Sequence, residues 1–201
     1  GRRIADIGTD HGYLPIYLFE KGKIDYAVCS DIKKGPLANA QKNLKKFGFE
    51  DKARLCLAGS LSGVLPNEVD CAIIAGMGGE MISSILEEGI PDGIEKFVLQ
   101  PMRNIDILRR KIHTLGLKIT NEKIVFEKEK FYIIICAEKG KDVMWTDDDY
   151  LVSPFMKKDI LWPEYSEKER NKILKALKQL DKSDSNEKKQ EFERLLKLYE
   201  V

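Results

Sequence analysis

A doubly wound α/β fold on a mixed, seven-stranded sheet is the class this 201-residue sequence predicts, with an α-helical hairpin at its C-terminal end. Three observations predict it. Short apolar runs alternate with amphipathic segments from Arg3 to Leu115, the pattern of consecutive βα units. The first run ends in a glycine turn dense in polar groups, Asp6-Ile7-Gly8-Thr9-Asp10-His11-Gly12. The last two runs, Leu117–Phe126 and Phe131–Glu138, are separated only by Glu127-Lys128-Glu129-Lys130. A parallel crossover needs about a dozen residues or more, so the sheet is expected to finish with an antiparallel hairpin.

The elements follow in order. Arg3–Ile7 reads as a strand and Tyr13–Lys21 as a helix ending at Gly22; Tyr26–Ser30 is the second strand. Leu37–Phe47 is a helix introduced by Gly35-Pro36 and stopped by Gly48. Ala53–Leu57 is a third strand, closing at Gly59-Ser60. Asp70–Ala75 is a fourth, ending in Gly76-Met77-Gly78-Gly79, and Glu80–Glu88 is the helix behind it. Lys96–Leu99 is a fifth strand, followed by Gln100-Pro101 and the helix Ile105–Leu115. Repeated βα order calls for a parallel sheet covered on both faces.

From about Thr146 the composition changes, which divides the chain into a domain over 1–145 and a helical one over 146–201. Leu174, Leu177 and Leu180 line one face of a first charged helix; Phe192, Leu195, Leu196 and Tyr199 line a second. Asp181–Asn186 is the turn between them, giving an antiparallel, coiled-coil-like hairpin.

Hydrophobic content of 43% and charged content of 33% describe an ordinary globular chain, and a net charge of +1 says nothing about partners. No apolar run approaches the ~20 residues that span a bilayer, and no signal peptide opens the sequence. Gly1 is not an initiator methionine, so natural sequence is expected to precede it. The four cysteines, Cys29, Cys56, Cys71 and Cys136, fall in strand-like runs without a CxxC pair or a histidine cluster. They read as free thiols of a reducing cytoplasm, with no metal site.

The first turn sits where α/β sheets bind nucleotide-like ligands. It lacks the G-x-G-x-x-G of a dinucleotide site, and Asp6 and Asp10 would repel a pyrophosphate. The same carboxylates suit a ligand with an ammonium and a sulfonium. S-adenosylmethionine has both and no phosphate. Gly8, Thr9, Gly12 and Tyr13 would cradle it. Asp6 would order the turn or receive the ammonium through water; His11 would hydrogen-bond the methionine portion or brace the loop. Asp31, followed by Ile32, ends the second strand about 20 residues on, where an acid accepts hydrogen bonds from both ribose hydroxyls. Gly59, Ser60 and Leu61 would flank the adenine. At the fourth strand's end, Ala75-Gly76-Met77-Gly78 has no Asn/Asp-Pro-Pro-aromatic sequence, which argues against methylation of an exocyclic amine. Its glycines imply either backbone closely approached by a ligand or a tight strand-to-helix turn. Met77 fits a ligand contact or core filler equally well.

Taken together, Ala5–Pro15, Gly35-Pro36, Ala75–Gly79, Leu99-Gln100-Pro101, Phe131-Tyr132 and Ser153-Pro154-Phe155 resemble, in sequence and order, the bacterial tRNA (adenine-22-N1)-methyltransferase family. The chain departs from it in lacking a largely helical segment before the first strand and in having Gly12 where several relatives have Ala. The resemblance implies a class I S-adenosylmethionine-dependent methyltransferase, acting in the cytoplasm on N1 of an adenine in the D-arm of tRNA, as a monomer or weak dimer without metal. It places the family's essential carboxylate at Asp10. N1 of neutral adenine already has a lone pair, so the expected task is alignment, with Asp10 stabilising the charge that builds on the ring. Lys168, Arg170, Lys172, Lys175 and Lys178 are candidates for holding tRNA phosphates. His113 is expected to be a non-catalytic surface residue. A small-molecule methyltransferase and a non-catalytic cofactor-binding scaffold are the alternatives.

Overall fold

The computed structural model describes residues 2–143, 145–180 and 186–200. The turn expected over 181–186 falls, except for Asn186, outside the described residues. Seven strands form one sheet in the order β3-β2-β1-β4-β5-β7-β6. They are β1 (Arg3–Ile7), β2 (Tyr26–Asp31), β3 (Ala53–Leu57), β4 (Cys71–Met77), β5 (Lys96–Pro101), β6 (Leu117–Glu127) and β7 (Lys130–Lys139). The helices among them are α1 (Tyr13–Glu20), α2 (Lys34–Lys46), α3 (Gly79–Glu87) and α4 (Ile105–Thr114). Strands β1 to β5 pair in parallel, and β7 pairs antiparallel with β5, Leu99 opposite Ile135.

By contacts the chain divides into two units. The first holds residues 1–121 and 134–143; the second holds 122–133 and 144–201, so the distal half of the β6–β7 hairpin belongs with the C-terminal helices. In the first unit, alternate strand residues bury on opposite faces. Ile4, Ala27, Cys29 and Ile73 cluster with Ile16 and Phe19 of α1 and Leu44 of α2. Ala5, Ile7, Val28, Ala72 and Ile74 are buried on the other face. A period of two with both faces buried is the signature of a helix-covered sheet.

Three local features differ from the linear pattern, each for a physical reason. The fourth strand runs past Ala75 through a bulge to Met77, which stands opposite Pro101. The bulge leaves the Gly76 N–H without a ladder partner, and the Gln100 side chain accepts it at 3.0 Å. Helix α2 starts before Pro36, which the first helical turn tolerates because its N–H would be unpaired there anyway. The hairpin loop shrinks to Lys128 and Glu129, both left-handed (φ 47 and 64), the type I′ geometry that matches strand twist.

His113 is not a surface residue as expected. Its Nε2 lies 2.8 Å from Asp142 with side chains 13% and 15% exposed, because Asp142 also accepts the Ile119 N–H at 3.0 Å. None of the four cysteines is in a disulfide; Cys29 and Cys71 are buried, and burial pushes their thiols up to about 12 and about 11.

In the second unit, α5 (Asp147–Leu151) begins with a capping box between Thr146 and Asp149. It is followed by α6 (Trp162–Gln179) and α7 (Asn186–Leu198). Trp162 stacks on Tyr199 at 5.8 Å and the Arg170 guanidinium donates to the Leu196 carbonyl, so α6 and α7 run antiparallel. Phe131 of the hairpin meets Phe126 at 4.7 Å and the edge of Tyr165 at 5.5 Å. The Ile124 N–H donates to Asp159 at 3.2 Å. Among the described residues, no helix is long and apolar enough to cross a membrane and no cluster of His, Cys, Asp or Glu is arranged to hold a metal.

Candidate functional site

The turn after β1 is built by its own backbone. Gly8 and Thr9 both donate N–H to the Ser30 carbonyl at 2.8 and 2.9 Å, and Gly12 donates to Thr9 at 2.9 Å. Gly8 (φ 78) and Gly12 (φ 70) occupy the left-handed region, where glycine has no Cβ penalty. Asp10 shares that region at φ 51, its carboxylate 67% exposed and 3.5 Å from His11 Nε2. The Asp10 N–H donates to Asp31 at 3.3 Å, and the Lys33 N–H to the other Asp31 oxygen at 2.9 Å. From α2, the Asn43 side chain donates to the His11 carbonyl at 2.9 Å. The His11 ring stacks on Tyr13 at 5.4 Å.

Beneath the turn, Asp6 and Thr9 are buried, and the Thr9 hydroxyl donates to Asp6 at 2.7 Å. Burial pushes the Asp6 carboxyl up to about 6, partly offset by that hydrogen bond.

Beside the turn lies a cleft of about 580 Å³, the size of a small-ligand site. Of the residues expected to bind a cofactor, Gly8, Asp31, Ile32, Gly59, Met77 and Gly78 line it. Ile32, 73% exposed, rests against Gly59, where a Cβ would come within 3.3 Å of its Cδ1. A Cβ on Gly8 would strike Met77 Cε, so Met77 lies across the turn. Asp10, His11, Gly12 and Tyr13 form the adjoining turn, and Asp6 and Thr9 its buried support. Ala75 and Gly76 sit at the exposed end of β4 outside the lining. Ser60 and Leu61 stand apart: Leu61 is fully buried, and Ser60 turns inward to cap a short 3₁₀ turn through the Ser62 N–H.

The cleft also takes in residues the sequence did not single out: Glu80, Met81, Ser84 and Ile85 of α3, and Arg103 beyond β5. The four on α3 follow i, i+1, i+4, i+5 spacing, one helical face, so periodicity behind the glycine run carries that signal. Arg103 has none. Its position depends on how the ends of β4 and β5 are laced together, with Met102 N–H to Met77 O at 2.7 Å and Gly79 N–H to Arg103 O at 2.8 Å.

An antiparallel β7 inserted between β5 and β6, a glycine turn closing β1 and an acid closing β2 define the class I methyltransferase variety of the doubly wound fold. Within that class, the family model described as TrmK, tRNA (adenine(22)-N(1))-methyltransferase, matches residues 4–200, and the chain belongs to that family. It is 32% identical to the tRNA (adenine(22)-N(1))-methyltransferase of Bacillus subtilis strain 168 over 166 residues, 79% of this chain and 70% of that protein. Among solved structures it is similar to Streptococcus pneumoniae Sp1610 at a TM-score of 0.91 and 33% identity, covering 99% of this chain and 91% of that one. Sp1610 is also known in complex with S-adenosyl-L-methionine (TM-score 0.87). Mycoplasma capricolum TrmK in complex with S-adenosyl-homocysteine matches at a TM-score of 0.84 and 28% identity, over 98% of this chain and 88% of that one.

Proposed function

We infer that this protein transfers a methyl group from S-adenosylmethionine to N1 of adenine 22 in tRNA. The family match across residues 4–200 carries this reading.

The residues of the cleft fit the cofactor. Each Asp31 oxygen accepts one backbone N–H and keeps a lone pair free for a ribose hydroxyl. The Gly8 turn leaves no side chain where the ligand backbone would approach, and the acidic charge of Asp10 and Asp31 suits an ammonium and a sulfonium. When bound, the cofactor supplies an electrophilic methyl. Asp31 and Ile32 hold the adenosine, with Gly59 opposite; Met77 and Gly78 border the methionine end. Ser60 and Leu61, turned into the core, support that wall from behind.

Asp10 is the catalytic carboxylate in this reading. It is exposed on a turn whose backbone is fixed by Asp31, and it would accept a hydrogen bond from the adenine N6 as positive charge builds on the ring. No base is needed to free N1. His11 holds Asp10 and Tyr13 in place; Tyr13 forms the wall beside it. Asp6 orders the turn through Thr9.

The first unit would hold cofactor and target base, and the helical unit would grip the rest of the tRNA in the cytoplasm. A monomer or weak dimer suffices for this, a point light scattering tests. The decisive experiment is transfer of labelled methyl to unmodified tRNA with adenine at position 22, beside the same tRNA with guanine there. Label appearing as 1-methyladenosine with adenine alone is expected. Equal label in both, or none in either with cofactor bound, overturns the reading.

A further inference from the structure

Arg103 stands at the far edge of the cleft from Asp31. With β1 and β4 between β2 and β5, a strand spacing of about 4.8 Å anchors the two residues roughly 14 Å apart. The cleft therefore runs from carboxylates at one end to a guanidinium at the other.

The position of Arg103 is built. Its carbonyl accepts the Gly79 N–H at 2.8 Å, and the preceding Met102 N–H is held by Met77. Asn104, which follows, turns the chain in the left-handed region at φ 56. A Cβ on Gly79 would run into the Asn104 carbonyl, so only glycine allows the two loops this close. The Arg103 side chain lies over Gly78, where a Cβ would come within 3.3 Å of its Nε. Among the described residues, its guanidinium has no hydrogen-bond or ion-pair partner. Glu80 lines the same cleft without pairing with it. An exposed arginine held on a glycine shelf by its own backbone, with its donors uncommitted, is poised for an anion.

We propose that Arg103 is a positioning residue for the RNA, its guanidinium taking a backbone phosphate beside the target adenosine. This rests on the tRNA-methyltransferase reading. A guanidinium forks onto two phosphate oxygens with defined geometry, whereas an ammonium offers only a point charge. Phosphate contacts set register. Here the contact fixes where the nucleoside enters, offsetting part of the cost of unstacking its base.

The test measures tRNA affinity against salt by fluorescence anisotropy, with S-adenosyl-homocysteine affinity by calorimetry and KM and kcat for methyl transfer alongside. Arg103→Ala is expected to weaken tRNA binding and raise the KM for tRNA about tenfold. It should lower the slope of log affinity against log salt by about one phosphate contact and leave S-adenosyl-homocysteine affinity within about twofold of wild type. Arg103→Lys should restore the salt slope but only part of the affinity. Unchanged tRNA affinity and salt slope in Arg103→Ala would overturn the proposal, as would equal loss of S-adenosyl-homocysteine binding. Wild type that binds tRNA but transfers no methyl would instead overturn the proposed activity, while the slope still decides the phosphate contact.

Discussion

The backbone N–H of Asp10 donates to the Asp31 carboxylate at 3.3 Å, so the residue that closes β2 fixes the turn that closes β1. In the proposed function, ligand binding and turn geometry therefore share one side chain. Asp31→Ala should weaken S-adenosyl-homocysteine binding by one to two orders of magnitude, the loss of a charged hydrogen bond of about 1.5–3 kcal/mol. It should also lower kcat at saturating cofactor, because Asp10 loses its anchor. Calorimetry together with saturation kinetics separates the two effects; an unaltered kcat would show that Asp10 keeps its place unaided.

Asp10→Asn isolates the charge. Asparagine tolerates the left-handed backbone at φ 51, so the turn should survive. Turnover is expected to fall by about 10²–10³, the usual cost of removing one electrostatic stabiliser, with cofactor affinity nearly unchanged. Near-normal single-turnover rates would remove Asp10 from the chemistry.

Asp6 makes stability depend on pH. Its folded carboxyl lies at about 6, above the ordinary 3.8, because burial penalises the ion. The protonated form is favoured by folding, so this contribution is full below the unfolded value and is lost as pH rises through 6, roughly 3 kcal/mol in all. Asp6→Asn should flatten the decline between pH 4 and 7 in urea titrations. Glu68 acts with the opposite sign. The Arg54 guanidinium, in two hydrogen bonds of 2.6 Å, holds it down at about 2, so its contribution is lost as pH falls toward that value. A parallel pH profile in Asp6→Asn and wild type would contradict the assignment.

Two glycines beside the cleft should respond differently to alanine. At Gly79 the new Cβ meets the Asn104 backbone carbonyl, which cannot step aside, and a loss of about 2 kcal/mol or more is expected. At Gly76 there is open space but φ is 76, so the cost is the left-handed strain alone, about 1 kcal/mol. Thermal melts of the two variants should rank in that order.

The lysines of α6 are not equivalent. Lys168 donates to the Glu129 carbonyl at 2.9 Å and covers Phe131; Arg170 is held by Leu196 and Glu200, and Lys172 by Glu169 at 2.5 Å. Lys175 and Lys178 have no such partner among the described residues. Replacing both by Glu should weaken tRNA binding and reduce its salt slope by about 1.5. Lys172→Ala should do less. Equal effects would mean that the internal pairs open on binding.

Much of this was legible in the residues themselves. The βα alternation and the short link after Phe126 pointed to the parallel run and the antiparallel ending of the sheet, because link length decides which crossovers are possible. The place of Asp31 at the end of β2, on the rim of the cleft, was legible from its distance along the chain. What escaped depended on contacts distant in sequence. Nothing around Ser60 announces that it caps its own turn, or that Leu61 is core. The Gln100-Pro101 pair gives no hint that Gln100 satisfies the Gly76 N–H at a bulge. His113 looked polar and peripheral because its partner, Asp142, lies 29 residues away. Arg103 needed two loops to meet before its place had meaning.

The backbone passes between the two units three times, after residues 121, 133 and 143. A single splice near 145 would therefore strip Phe126 and Phe131 of Tyr165, leaving an aromatic hairpin end with its neighbours gone. In evolutionary exchange, the helical unit cannot be traded as a tail. A new one must arrive together with a matching hairpin tip, two insertions that have to succeed at once, and this ties the lineage of the helical unit to that of the β6–β7 hairpin.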